Sequence, residues 1–243
     1  MNAKTKEILL RYGVASVGLV FVALGVALSI ISNLGTAPLS CPAYVLNLRF
    51  PALSVGTFTL LVNTSLILIQ LAVWRRKFQV RYLMQIVASA LFGYLIDGCL
   101  WALSWLHPEG FAVRVGLTLL AALVTAFGVS IEVAANAWML SAEMTVLSFS
   151  QTFNWKFHTV KVVMDSLMVV IAALLCLWFF GDLFGAGEFT GWADLLLART
   201  EGVVIGLGTV LLAVLPGWMM RLTDPLLARW IKGRSAGSAR KSQ

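Results

Sequence analysis

Ionisable residues inside long apolar runs are the first candidates for chemistry in this sequence, and there are five of them: Asp97, Glu132, Glu143, Lys161 and Asp165. Each needs a partner or a function, because a central Asp or Lys costs roughly 2.5 to 3.5 kcal/mol to insert into a bilayer on translocon scales. Lys161 and Asp165 are four residues apart, so a helix places them on one face as an ion pair. That pair could be structural, or it could bind a solute or a proton.

Glu132 and Asp97 are two further embedded acids, and Asp97 has no cation on its own predicted helix. Glu132 precedes Asn136 by four residues, so both share a helix face just before an interruption of the apolar pattern. If the protein moves protons, we expect Glu132 or Asp165 to be the proton carrier. Asp97 could exchange protons in the same way, or it could extend its side chain to the outer interface.

Two apolar stretches, about 36–50 and 139–155, are too short and too polar to span a bilayer alone. The first follows a long apolar run directly and cannot continue it as a helix. Gly35 weakens the helix there, and Pro38 lacks an N–H and clashes with the preceding turn. The sequence therefore predicts a short broken or re-entrant helix in each stretch.

Hydroxyl side chains stand where these short helices are expected to begin. Thr36 can cap the helix that Pro38 opens, and Ser141 can cap the second helix with Glu143 close behind it. Free N–H groups at such helix starts suit an anionic ligand or a carboxylate. The predicted solute-binding residues are Asn33, Thr36, Ser40, Asn136, Ser141 and Glu143. The two asparagines could instead bond the interrupted backbone.

The composition is that of a membrane protein, with 243 residues of which 60% are hydrophobic and 12% charged. The net charge of +7 does not indicate nucleic acid, because the basic residues cluster at the ends of apolar runs and form no patch with aromatic residues. Three scattered cysteines and two histidines show no metal-binding spacing, and no catalytic motif is present. We therefore predict no enzyme activity, cofactor, metal or nucleic-acid partner.

Six apolar runs are long enough to cross the hydrocarbon core as helices, at about 12–31, 54–74, 82–106, 115–137, 159–180 and 200–220. The predicted fold class is an all-α polytopic membrane protein that forms one membrane domain over residues 1–243. Basic residues such as Lys4, Arg75 and Arg221 border the first, second and sixth runs, which predicts that both termini are cytoplasmic. The basic tail at 233–243 is predicted to be disordered.

The two halves of the chain resemble each other. ALGVALSIISN at 23–33 aligns with AFGVSIEVAAN at 126–136, and further along Asn63 aligns with Asp165. Three helices per copy would reverse the second copy in the membrane, so the sequence predicts inverted three-helix repeats. Each copy reads helix, broken segment, helix, helix, and the copies cover about 12–106 and 115–222. A chance match between apolar segments is the alternative.

Three short motifs stand near predicted helix ends: LGTAP at 34–38, LSVGT at 53–57 and GLGTV at 206–210. Together they resemble the YczE/YyaS/YitT-like group of bacterial integral membrane proteins, over about Gly18 to Met220. In that group an acidic residue commonly follows the proline of each broken segment, whereas here Ser40 stands at the first such position and Glu143 at the second. The resemblance implies a bacterial cytoplasmic-membrane location and a transport role, without a substrate.

These patterns favour a secondary transporter, an exporter being one form of it, for a small polar or anionic solute. Proton coupling is expected, and the site is predicted between the two broken helices near the midplane. The alternative is a membrane accessory or regulatory protein that organises a partner through its basic cytoplasmic face. The expected partners are the lipid bilayer and a small-molecule solute, and a homodimer remains open.

Overall fold

The computed structural model describes residues 3–75, 80–135, 140–186 and 202–215. This part of the chain is all-helical apart from one isolated bridge between Gly185 and Val203. A 3-10 turn, Val80–Leu83, leads into the fourth helix. The α-helices are α1 (Ala3–Ser32), α2 (Cys41–Arg49), α3 (Val55–Trp74), α4 (Met84–Ala102), α5 (Phe111–Ala135), α6 (Ser141–Phe153), α7 (Phe157–Phe180) and α8 (207–215).

Five of these helices are long and apolar enough to cross a membrane, so the chain is a multi-pass membrane protein. The spanning segments are Leu10–Ser32, Val55–Trp74, Met84–Ala102, Phe111–Val133 and Thr159–Phe180. They match the first five predicted spans to within a few residues. Their outward faces carry exposed leucine, valine and tryptophan side chains, which is what a lipid-facing surface requires.

The predicted sixth span, about 200–220, is only partly helical over its described residues, 202–215. Residues 202–206 are not helical, and α8 begins only at 207. Gly202 has a positive φ of 80°, a backbone conformation that favours glycine and is not helical. The remainder of that predicted span and the basic tail at 233–243 lie outside the described residues.

Helices α1 and α5 pack in close contact because glycines remove side chains from their interface. A Cβ atom built on Gly18 would lie 2.8 Å from the carbonyl oxygen of Gly128. That distance is too short for any residue with a side chain, so the helix backbones could not approach this closely without glycine at Gly18. Leu19, Val22 and Val26 of α1 then form a core with residues of α3 and α4.

The two short helices, α2 and α6, both pack against the same two spanning helices, α3 and α7. Cys41 and Val45 of α2 join a buried cluster with Cys176 of α7. Ala142 and Val146 of α6 join a second buried cluster with residues of α3 and α7. Each short helix therefore lies inside the bundle, and neither lies flat on its surface.

The starts of the short helices converge on the interior of the protein. Leu39, two residues before α2, packs against the cluster that contains Ala142 and Val146 of α6. Ser141, the first residue of α6, bonds Asn63 in the middle of α3. Because Asn63 is at mid-span, α6 begins near the centre of the bundle.

Candidate functional site

A network of buried amides and hydroxyls fixes the start of α6 to α3. The Ser141 hydroxyl donates to Asn63 Oδ1 at 2.7 Å, and the Thr145 hydroxyl donates to the Ser141 carbonyl at 2.6 Å. All three side chains are buried. Within a bilayer such polar groups have no water to bond, so the network holds the half-helix in one register.

Two glutamines complete this network from neighbouring helices. Gln70 of α3 donates from Nε2 to the Ser141 carbonyl and to the Thr145 hydroxyl, both at 2.9 Å. The amides of Gln70 and Gln85 also bond each other in both directions, each at 3.2 Å.

The four network residues Asn63, Gln70, Gln85 and Thr145 were not among the site residues predicted from the sequence. Asn63 and Gln70 are seven residues apart on one helix face, and that spacing could have identified them.

Two glutamates border the interruption between α5 and α6. Glu132 lies in the last turn of α5, and Glu143 lies in the first turn of α6. Glu132 is only 7% exposed, and its Oε1 has no hydrogen-bond partner among the described residues. The same holds for Oε2 of Glu143. Asn136, predicted to act with Glu132, lies outside the described residues.

Gly18 of α1 makes room for the Glu132 side chain. A Cβ atom at Gly18 would lie 2.8 Å from Cγ of Glu132. The same glycine that allows α1 and α5 to approach therefore also allows Glu132 to lie against α1. This arrangement encloses the carboxyl group between helices instead of directing it to lipid.

Lys161 and Asp165 form an ion pair on α7, with Nζ and Oδ1 2.9 Å apart. Both side chains are partly buried, at 33% and 17% exposure. The embedded ionisable groups therefore lie in the last turn of α5 (Glu132), the first turn of α6 (Glu143) and the N-terminal half of α7 (Lys161 and Asp165).

The first interruption is bonded to the segment before α8. The Asn33 side chain accepts a hydrogen bond from the Val203 N–H at 3.0 Å, and the Thr36 N–H donates to the Val204 carbonyl at 3.0 Å. The N–H of Gly208 donates to the Leu34 carbonyl at 2.7 Å. The Asn33 side chain therefore bonds the backbone of the segment before α8, and its role in solute binding stays a prediction.

The helix starts differ from the predicted caps. Helix α2 begins at Cys41 with Ser40 as its N-cap, and not at Pro38. Thr36 does not cap it, since its hydroxyl lies 3.2 Å from the Cys41 sulfur. Ser40 makes no side-chain capping bond. Ser141 is the first residue inside α6, after Leu140 at the N-cap. The Thr36 hydroxyl contacts a side chain of α2 and the Ser141 hydroxyl bonds Asn63 of α3, so neither hydroxyl caps a backbone N–H of its short helix.

Asp97 of α4 caps the start of α3. Its Oδ1 accepts the Gly56 N–H at 2.8 Å, and its Oδ2 accepts the Ser54 hydroxyl at 2.6 Å. Gly56 and Gly93 allow α3 and α4 to meet closely at this point, which brings the carboxyl to the helix end. A carboxylate at a helix N-terminus satisfies free N–H groups and is favoured by the helix dipole.

The chemistry available at the α6 site is that of carboxyl, amide and hydroxyl groups. Among the residues that the structure describes, no group of three or more His, Cys, Asp or Glu side chains could hold a metal ion. Cys41, Cys99 and Cys176 are free thiols, and Cys41 and Cys176 are fully buried. The arrangement is suited to binding a polar solute or a proton.

Comparison with known proteins identifies a family. Neither the curated proteins nor the solved structures give a match. One family model, described as a family of unknown function (DUF6198), matches residues 9–225 and so includes most of α1, all of α2 to α8 and both interruptions. Because this match extends over most of the chain, the protein belongs to the DUF6198 family.

Proposed function

We propose that this protein is a secondary transporter of a small polar solute, which binds where α2 and α6 begin. The observation that supports this most directly is the buried carboxyl group of Glu132, whose Oε1 is unpartnered among the described residues. Ionisable groups enclosed within membrane helices are costly, and they mark pathways for solutes, ions or protons. Broken helices that meet near the midplane are a common way to build such a site.

The contacts of the short helices support an inverted repeat. Both α2 and α6 pack against α3 and α7, as two copies related by an in-plane axis would. In sequence, 23–33 at the end of α1 aligns with 126–136 at the end of α5. We propose that the two copies rock against each other around the site, giving alternating access in the export direction.

We propose Glu132 as the proton carrier in preference to Asp165. Asp165 already has a cation 2.9 Å away in Lys161, which offsets the cost of its charge. Oε1 of Glu132 has no hydrogen-bond partner among the described residues, which leaves this carboxyl available to bind a proton.

We further propose that the protein lies in the bacterial cytoplasmic membrane with both termini in the cytoplasm. The basic residues bordering the first, second and sixth apolar runs support this orientation. The resemblance to YczE/YyaS/YitT-like proteins supports the same location.

The test is proton movement in proteoliposomes with an imposed pH gradient and an entrapped pH-sensitive dye. A panel of small amines, acids and neutral polar solutes is added to wild-type protein, to Glu132→Gln and to the control Glu109→Gln. Glu109 is exposed in the loop before α5, so its substitution matches the chemistry without affecting the site. We expect solute-dependent proton flux in wild type and control and its loss in Glu132→Gln. Absence of flux with every solute would rule out a coupled transporter.

A further inference from the structure

The contact between α1 and α5 has the symmetry that the proposed inverted repeat requires. Gly18 and Ala121 are 103 positions apart in the sequence, and so are Gly25 and Gly128. A Cβ atom built on Gly128 would lie 2.7 Å from the carbonyl oxygen of Gly18, and one built on Gly25 would lie 3.0 Å from that of Ala121. Exchanging the two copies turns the first contact into the second. This correspondence supports an in-plane two-fold axis between α1 and α5.

Under that symmetry α2 and α6 are equivalent, but the surfaces they pack against differ in chemistry. Helix α6 is hydrogen-bonded to α3, because Gln70 donates to the Ser141 carbonyl and to the Thr145 hydroxyl, both at 2.9 Å. Helix α2 instead packs against α7 in a buried cluster that contains Cys41 and Ala172. In the alignment that pairs α3 with α7, Ala172 stands opposite Gln70. One copy therefore has a polar contact where the other has an apolar contact.

The polar contact lies between the candidate site and the predicted cytoplasmic face. Gln70 is one turn before the end of α3 at Trp74, and the basic residues 75–77 follow that end. Gln85, the other partner of Gln70, lies in the first turn of α4. Trp74 is 7% exposed, and its ring packs against Tyr82 with the ring centroids 5.0 Å apart. Amide groups and then aromatic rings thus close this end of the bundle in the structure.

The polar contact can separate at a lower cost in free energy than the apolar one. Water replaces hydrogen bonds that are lost between helices, whereas separated apolar surfaces remain exposed to water. On α4, Ser89 is one turn after Gln85 and offers its amide a further partner. The Ser89 side chain is 0% exposed, and its hydroxyl has no hydrogen-bond partner among the described residues.

Other contacts determine what moves together with each short helix. Val146 of α6 packs in a buried cluster with Val160, Met164 and Met168 of α7. These apolar contacts keep α6 on α7 when it leaves α3. The segment before α2 is also held by its backbone, since the N–H of Thr36 donates to the Val204 carbonyl at 3.0 Å.

We infer that the contact of Gln70 with α6 is the inner gate of the protein, and that α6 opens it by moving with α7 away from α3. This inference rests on the proposed transport function and identifies which half-helix moves to admit water from the cytoplasm. Opening exposes Ser141 and Asn63, which lie at mid-span. During this step α2 keeps its contact with α7, so the outer half of the bundle stays closed.

Hydrogen exchange tests which half-helix moves, without reference to transport. The full chain in detergent is measured by mass spectrometry as wild type and as Gln70→Ala, which lacks both bonds to α6. We expect backbone exchange in α6 to become at least about fivefold faster, with exchange in α2 unchanged. The matched control is Gln151→Ala, because Gln151 is an exposed residue of α6, and it should exchange as wild type does. Equal acceleration in both short helices, or in neither, would overturn the inference.

A reducible cross-link tests whether the gate must open during transport. Gln70→Cys and Thr145→Cys are combined with Cys99→Ala and joined by a short bis-methanethiosulfonate reagent. Cys41 and Cys176 are buried, so they should not react in the folded protein. Cross-linked protein should lose solute-dependent flux in proteoliposomes, and reduction should restore it. The two single-cysteine variants treated with the same reagent are the controls and should retain flux.

The two experiments separate the gate from the transport proposal. Flux that survives the cross-link keeps transport and rejects the gate. Faster exchange confined to α6, without flux in any protein, keeps α6 as the mobile half-helix and rejects transport. Flux that is lost on cross-linking and returns on reduction supports both.

Discussion

Ser141 and Asn63 are joined by a 2.7 Å hydrogen bond from the first residue of α6 to the middle of α3. Both side chains are buried, at 0% and 2% exposure. This contact sets the depth at which the half-helix begins, and it places the first turn of α6, with Glu143, inside the bundle.

Breaking that hydrogen bond should weaken the protein measurably. Hydrogen bonds between membrane helices average about 0.6 kcal/mol and reach about 1.7 kcal/mol in double-mutant cycles. We expect Ser141→Ala and Asn63→Ala each to lower the free energy of unfolding in detergent, with a coupling energy in that range. Additive effects of the two substitutions would contradict a direct bond between them.

Gly18→Ala should destabilise the protein, because the new Cβ would lie 2.8 Å from both Cγ of Glu132 and the carbonyl oxygen of Gly128. Overpacking of this kind costs roughly 1 to 3 kcal/mol of folding free energy. Gly13→Ala in the same helix is the matched control, since nothing lies within 4 Å of its Cβ position. The control should be neutral or slightly stabilising, because alanine favours helices by roughly 0.5 to 1 kcal/mol over glycine. Equal thermal unfolding of the two variants would argue against close packing of α1 on α5.

Asp97→Ala should reduce stability by about 1 kcal/mol, as loss of a helix cap usually does. Asp97→Asn keeps an oxygen acceptor for the Gly56 N–H, so we expect a smaller loss. Solute flux per folded molecule should be unchanged in Asp97→Asn. A stable Asp97→Asn protein without proton coupling would instead place Asp97 on the proton pathway, the other role that the sequence left open.

Thiol labelling tests whether α2 lies inside the bundle. Cys41 and Cys176 are 0% exposed, whereas Cys99 is partly exposed. In single-cysteine variants in detergent, a maleimide should label Cys99 in the folded protein and label Cys41 or Cys176 only after denaturation. Rapid labelling of Cys41 in the folded state would mean that α2 lies at the surface.

Deleting the basic tail, 233–243, separates transport from the accessory-protein alternative. A transporter whose site lies at the start of α6 should retain solute-dependent flux without the tail. A protein that organises a partner through its basic cytoplasmic face should lose its cellular phenotype on deletion, while Glu132→Gln leaves that phenotype intact. Comparing the two variants in cells decides between the two classes.

Much of the fold was predictable because it depends on local properties of the chain. The length of an apolar run and the presence of Gly35 and Pro38 determine where a membrane helix continues or ends. The predicted stretches 36–50 and 139–155 accordingly contain α2 and α6. The bond between Lys161 and Asp165 was predictable for the same reason, because a separation of four residues places two side chains next to each other on one helix face. The start of α8 was not predictable in this way. Residues 202–206 are not helical, although hydropathy alone predicts one continuous helix over this apolar run.

The sequence by itself determined that this is a multi-pass helical membrane protein with two interrupted segments and a few embedded charges. Only the tertiary structure decided which of those charges have partners. Asp97 finds its partners on α3, 41 residues earlier in the chain at Gly56, and Gln70 bonds Ser141 across 71 residues. Glu132 keeps a carboxyl oxygen without a partner in the described chain. Such relations depend on how the helices pack. Glycine contacts such as that of Gly18 with Gly128 set this packing, and they join residues too far apart in sequence for a local pattern to predict.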